Sequence, residues 1–364
     1  MPFSRLAHLL RRSTPHKQIL GVLAAALGAA VGLALEIPAA LIVGPLAGSL
    51  VAGLIGIPIA APKHIQRPVQ LALGLIIGSH FAVSISGDAM ALLILVIAVI
   101  ISSLVMTVLG YWYLRKVGGY DRVTSACSAL PGGAYVAVLM GSEMGGDMRA
   151  MSLMQAFRVV ATVMTIPLLA PLFVADPHPV QAGLSVLPDI TPADAAILIA
   201  SGLVAAYLGL KLKVPGGGIL PPMAASGLLF GTGIVSGHIP DWASFFCAFL
   251  LGWAMGVRFG GISIAELLRH LRHGTALVVA MIALTMAMAA LLAPIFGRGL
   301  AETMLGLAPG GIGEMSVTAV LIGVDAGFVG ALQTTRLVMI NVALPFIARM
   351  TKRDVADAAD KDGR

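Results

Sequence analysis

The sequence predicts an all-α polytopic membrane protein: an inverted repeat of about five spanning helices plus one Pro-Gly-Gly re-entrant or broken helix per half. Three observations lead there. The composition is too apolar for a water-facing surface, apolar stretches of membrane-spanning length recur along the chain, and the second half repeats the first. Of the 364 residues, 58% are hydrophobic and only 11% are charged, with a mean hydropathy of +0.97. A soluble domain is about 25% charged. The 43 glycines and 21 prolines fit membrane helices, where neighbouring helices satisfy freed backbone groups.

Apolar stretches near the roughly 20 residues of a spanning helix fall near 18–35, 38–57, 68–86, 89–114 and 148–174. A second set falls near 193–210, 214–236, 241–259, 275–296 and 326–348. Two more apolar segments, 122–142 and 301–322, are each interrupted by Pro-Gly-Gly. The first stretch follows Arg11, Arg12 and Lys17 as a signal peptide would, but its equivalent at 193–210 has no such flank and it reads as a retained helix.

The repetition is nearly gapless. Shifting 129–167 by 178 positions aligns Pro131/Pro309, Gly132/Gly310, Gly133/Gly311, Gly145/Gly323, Asp147/Asp325, Gln155/Gln333, Arg158/Arg336, Val160/Val338 and Pro167/Pro345. Chance supplies about three matches for this composition, and it does not favour Asp, Gln and Arg, which are scarce here. Upstream, Gly74/Gly252, Gly78/Gly256 and Phe81/Phe259 keep the same offset, while Pro38/Pro215 and Pro45/Pro222 align at 177. The expected units are an N-terminal segment 1–17, a first membrane repeat 18–174, a linker 175–192, a second repeat 193–350 and a tail 351–364.

Charge sets the relation between the halves. The +6 net charge and pI of 9.6 come from short basic clusters between apolar stretches: Arg5–Lys17, Lys63/Arg67, Arg115–Arg122, Lys211/Lys213, Arg258–Arg272 and Arg349–Arg353. Such flanks follow the positive-inside rule and argue against nucleic acid as a partner. If each Pro-Gly-Gly segment crosses fully, the Lys211/Lys213 and Arg258–Arg272 loops face outside. If it dips in and returns, the second half is inverted and every cluster lies inside. The second arrangement is therefore expected, with both termini cytoplasmic. Inverted repeats with interrupted helices are shared by many secondary transporters.

The candidate functional residues gather at the interruptions. Pro131, Gly132 and Gly133, with Pro309, Gly310 and Gly311, stop their helices, because proline removes a donor and glycine opens backbone conformations closed to other residues. Broken backbone at membrane depth persists only where it is buried in protein or lines a wet cavity, and a helix restarting there aims free N–H groups at that cavity. Arg158 and Arg336 each lie 11 residues beyond an aspartate, about 16 Å along a helix and near mid-bilayer. Gln155 and Gln333 sit three residues earlier on the same face. Two compatible roles are open to this set: fixing the broken segment through its carbonyls, or facing a solute.

Asp147 and Asp325 read first as helix N-caps and second as ion ligands. Glu314, whose counterpart is Val136, breaks the symmetry; it reads as a proton- or sodium-coupling group or as half of an ion pair with an arginine. Tyr135, Ser125, Ser128 and Thr303 offer hydroxyls that serve a solute or helix packing. His80 and its equivalent Arg258 read as interfacial. Cys127 and Cys247 read as small buried hydrophobes. No metal-ligand spacing, cofactor motif or nucleophile–base set occurs, so neither a metal nor a cofactor nor enzymatic activity is expected.

Two copies of Pro-Gly-Gly followed by Gln-x-x-Arg and a proline, over 131–167 and 309–345, resemble the bacterial AbrB-duplication membrane family. Its members carry labels that invoke transcriptional regulation or ammonia oxidation. The family in turn looks like a distant relative of the sodium/proton antiporter, bile-acid symporter and glutamate symporter group, an analogy of fold that assigns no substrate. The resemblance implies a protein of the bacterial inner membrane. The two midplane arginines and the two helix N-termini point to a secondary transporter of a small anionic or zwitterionic solute, with a proton or sodium ion as the coupled partner. The alternative is a membrane-embedded regulator of gene expression acting through a partner. Apart from the lipid bilayer, a second copy of the chain is an open partner. A soluble β-rich DNA-binding domain has no place in this sequence, and the eight histidines form no tight ligand cluster.

Overall fold

The computed structural model describes residues 15–84, 89–174, 189–212, 214, 216–259 and 264–342. The expected N-terminal segment (but for 15–17), the C-terminal tail and most of the 175–192 linker lie outside the described residues.

Helices follow the apolar stretches in order. The first half contains α1 (Pro15–Ala34), α2 (Ala40–Leu54), α3 (Gln66–Ser84) and α4 (Ala89–Lys116). Two short helices, α5 (Arg122–Ala129) and α6 (Ala134–Glu143), flank the first interruption, and α7 (Met148–Leu169) completes the set. The second half contains α8 (Pro192–Lys211), α9 (Leu220–Gly231), α10 (Asp241–Gly256), α11 (Ile264–Phe296), α12 (Leu300–Leu307) and α13 (Ile312–Leu321). A helical run over 326–342, here α14, comes next.

Among the described residues, six helices are long and apolar enough to cross a membrane, those within 15–34, 93–116, 148–173, 192–211, 241–259 and 272–296. Their outer faces carry exposed Leu27 (68%), Leu104 (59%), Leu203 (54%) and Leu291 (63%). An apolar surface so extensive is stable against lipid and not against water. The chain is a polytopic helical membrane protein.

Two expected spans are shorter than the sequence suggests. The stretches 38–57 and 214–236 yield helices of 15 and 12 residues, about 22 and 18 Å long against a hydrocarbon core of about 30 Å. Before α2 the chain turns through Glu36 and Ala39, both at positive φ. Before α9 it turns through Gly216, and Gly233 ends the helical path beyond Thr232.

Glycine lets these short helices approach others backbone to backbone. Gly252 and Gly256 of α10 lie against the Ile42 and Leu46 carbonyls of α2, while Gly74 and Gly78 of α3 lie against the Ile219 and Met223 carbonyls of α9. Close approach at small residues replaces the hydrophobic driving force that lipid removes. Around this junction α11 packs on α4, α7 and α12, and α13 packs on α3 and α10. The second interrupted segment is thereby enclosed by a buried core that includes Leu73, Ile77, Met255, Met304 and Met315, while the first packs in a smaller cluster with Val123, Cys127, Leu130, Met151 and Ile340.

Candidate functional site at the two helix breaks

Asp121 begins α5 by accepting the Thr124 amide at 2.8 Å. The helix ends at Ala129, after which Leu130 turns extended into Pro131. α6 restarts behind Gly133, whose φ of 61° is left-handed and open to glycine at little cost. In the second half α12 ends at Leu307, and Ala308 turns extended into Pro309. α13 restarts behind Gly311 in extended backbone, φ −96° and ψ 159°.

A helix end leaves four carbonyls without intrahelical partners. At the first break Gln155 Nε2 donates to the Cys127 carbonyl at 2.6 Å and, more weakly, to that of Leu130. Arg158 Nη1 donates to the Leu130 carbonyl. At the second, Gln333 Nε2 donates to the Leu305 and Ala308 carbonyls at 2.9 and 3.1 Å. Arg336 donates through Nη1 to Ala308 and through Nη2 to Gly306, the latter at 2.9 Å. Donors and acceptors therefore correspond at a shift of 178 positions. A guanidinium at a helix C-terminus also meets its partial negative charge.

Arg158 is 1% exposed and Arg336 2%, and the two stand near enough to repel each other. Among the described residues the ion pairs are His238–Asp241 and Arg298–Asp325, so neither buried arginine has a carboxylate partner. Arg158 Nε, Arg336 Nε and Gln155 Oε1 are buried without a hydrogen-bond partner among the described residues. The first break also approaches the helix that ties the second, for Gly132 lies against Ile340 and Arg336 of α14.

The outer ends of each segment meet. The Asp147 amide, just beyond α6, donates to Thr124 Oγ1 at the start of α5, at 2.8 Å. Arg298, before α12, pairs with Asp325, beyond α13, at 2.8 Å. Both aspartates cap the helices after them. Asp147 Oδ1 accepts from the Arg149 and Ala150 amides, and Asp325 Oδ1 from that of Phe328. Glu302 stands beside this second junction. Burial raises its carboxyl pKa, and Asp325 adds to the rise, against the lowering effect of Arg298 and two backbone donors.

Glu314 is half-buried in the first turn of α13. Its carboxylate folds back over Gly311, where a β-carbon on the glycine would strike it. No described arginine pairs with it. It lines a cavity of about 470 Å³ together with Gln66, Gln70 and Arg258, over apolar walls that include Leu73 and Leu251. Neither glutamine carries a signal in the sequence, and Arg258 reads there only as interfacial. They come from separate elements whose meeting no local spacing encodes. Pro131, Gly132, Pro309 and Gly310 form the breaks themselves, while the Tyr135 side chain lies outside the described residues. Ser125, Ser128 and Thr303 are buried, and Thr303 bonds back to the Gly299 carbonyl.

A helical membrane protein with two interrupted helices, each held at its break by a glutamine and an arginine, is the class that fold and site define. The chain belongs to the family described as "Transition state regulatory protein AbrB", whose model matches residues 41–352. It is similar to the "Putative regulator AbrB" of Escherichia coli (strain K12), 26% identical over 290 residues that cover 78% of this chain and 83% of that protein. It is also similar to the "Uncharacterized protein YhjN" of Bacillus subtilis (strain 168), 26% identical over 306 residues covering 80% of each.

Proposed function

We propose that the chain is a secondary transporter of a small anionic or zwitterionic solute, bound near the two Pro-Gly-Gly breaks. Its halves form an inverted repeat, each of five crossing helices and one hairpin that dips into the membrane and returns. Support for the hairpins is the meeting of each segment's outer ends, Thr124 with Asp147 and Arg298 with Asp325. Support for the inversion is that it puts every basic cluster on one side. The observation that carries the solute reading is the pair of buried guanidinium groups with no described counter-charge. Buried charge is costly unless paired, and an anionic group arriving between the breaks relieves that cost.

The direct experiment is a thermal-shift screen of small anions and zwitterions on the purified chain, followed by uptake of each hit into proteoliposomes under an imposed proton or sodium gradient. Gradient-driven uptake that Glu314→Gln abolishes supports the reading. Hits that bind but never accumulate overturn it. A second reading, a membrane-embedded regulator acting through a partner, rests on the word "regulator" in the E. coli relative's description. Changed transcript levels in a deletion strain, restored by a transport-dead variant, favour that reading.

A further inference from the structure

The cavity beside Glu314 holds opposite charges that do not pair with one another. Gln66 and Gln70 lie one turn apart on α3 and share a face. Arg258 reaches the cavity from the short turn Val257–Phe259 after α10, and Glu314 from the first turn of α13. Arg258 and Glu314 line one space, yet they are beyond ion-pair distance of each other and of every other described charge. The remaining walls are largely apolar, with Leu73, Leu250 and Leu251 among them.

This distribution selects among solutes by sign. A simple anion satisfies Arg258 but meets the Glu314 carboxylate, which already covers the N-terminus of α13 at Gly311. A simple cation satisfies Glu314 and meets Arg258. A molecule carrying both charges satisfies both, while the two glutamine amides, each with an NH2 donor group and a carbonyl acceptor, are available to its polar atoms. The volume of about 470 Å³ lies in the range of small-molecule sites, about 300–1,000 Å³.

We propose that this cavity binds a small zwitterion, its anionic group at Arg258 and its cationic nitrogen at Glu314. The proposal rests on the transporter reading; it moves the bound solute from the buried arginines to the cavity beside the second break, and narrows it from an anion or zwitterion to a zwitterion. Glu314 then takes the solute's cationic group and the driving cation in turn, so that the two compete for one carboxylate.

The test uses the full chain in phosphatidylglycerol nanodiscs and a ladder of ω-amino acids from glycine to 6-aminohexanoate. Each rung is compared with its carboxylate-only and amine-only counterparts. One rung is expected to bind at least about tenfold more tightly than either counterpart, equivalent to about 1.4 kcal/mol. Arg258→Gln should erase the preference over the amine, and Glu314→Gln the preference over the carboxylate. Equal binding of a single-charge counterpart to the unmodified chain, or no binding on any rung, overturns the proposal without recourse to a variant. So does a zwitterion preference that survives both substitutions. Adding phosphatidylethanolamine separates the two sources of such a group. If the ligand is a lipid headgroup, that lipid alone raises the Tm and competes away the free amino acid. A zwitterion that binds but is not carried into proteoliposomes leaves the cavity intact and refutes transport. Transport whose charge preference both variants leave unchanged does the reverse.

Discussion

At the first break Gln155 and Arg158 hold the carbonyls of Cys127 and Leu130; at the second Gln333 and Arg336 hold those of Leu305 and Ala308, and Arg336 also reaches Gly306. The shared part ends helix α5 or α12 and fixes the tip. Beyond the tip the two halves differ. Gly133 is left-handed and Gly311 is extended, and only the second restart carries an acid, Glu314 where the first has Val136. The same scaffold therefore presents an acid-free helix start in one half and a carboxylate-covered one in the other. The two halves share the bonds that hold the break and differ in the residue that meets the cavity.

The largest expected effect comes from removing the arginines. A buried carbonyl left without a donor costs about 1–3 kcal/mol. Arg336→Leu removes the side-chain donor to Gly306, whereas Arg158→Leu has no such extra loss; Ala308 keeps the Gly310 amide and Gln333, as Leu130 keeps the Gly132 amide and Gln155. Thermal unfolding in detergent should show the greater loss at Arg336. Equal losses would mean that the extra bond contributes nothing.

The two glycines separate the breaks more sharply. Gly133→Ala forces a left-handed alanine, costing about 1–2 kcal/mol, and the cost should be unchanged in a Glu314→Ala background. Gly311→Ala meets no backbone strain but displaces the Glu314 carboxylate, so its cost should fall in that background. A double-mutant cycle reads this as coupling between 311 and 314; additive effects would refute the folded-back carboxylate.

The helix caps should give a smaller contrast. Asp147→Ala loses an N-cap of about 1 kcal/mol. Asp325→Ala loses a cap and the Arg298 pair, which is partly exposed and adds at most about 1 kcal/mol. Smallest is a pH effect at Glu302. Its raised pKa means that the folded chain holds this proton at higher pH than the unfolded chain does. That favours the folded state below the ordinary carboxylate range, and the advantage is lost as pH rises from there through the raised value. The Tm of Glu302→Gln should lack this component of the pH profile, and identical profiles would exclude it.

Much of the break is legible in the sequence. Pro-Gly-Gly and Gln-x-x-Arg recur because each bond at the break needs that side chain in that register, so the repeat marks the interruptions and the residues that tie them. The aspartate caps are legible for the same local reason. The short α2 is hidden because the turn before it runs through Glu36 and Ala39, neither of which advertises a positive φ. The cavity is hidden because Gln66, Gln70, Arg258 and Glu314 come from three regions far apart in the chain. The Thr124–Asp147 junction is hidden because its counterpart uses different residues, with Glu302 at the position equivalent to Thr124.

An inverted repeat requires the two hairpins to enter from opposite sides of the membrane, and sidedness of labelling tests this directly. Single cysteines replace exposed Glu143, at the end of α6, and exposed Gly299, before α12, in a background with Cys127 and Cys247 replaced by alanine. Gly299 has φ −62°, so a side chain there is unstrained. With a membrane-impermeant thiol reagent, Gly299→Cys should be labelled in intact cells and Glu143→Cys only after the membrane is opened. Labelling of both from the same side would contradict the inverted repeat, and with it the entry of the two hairpins from opposite faces.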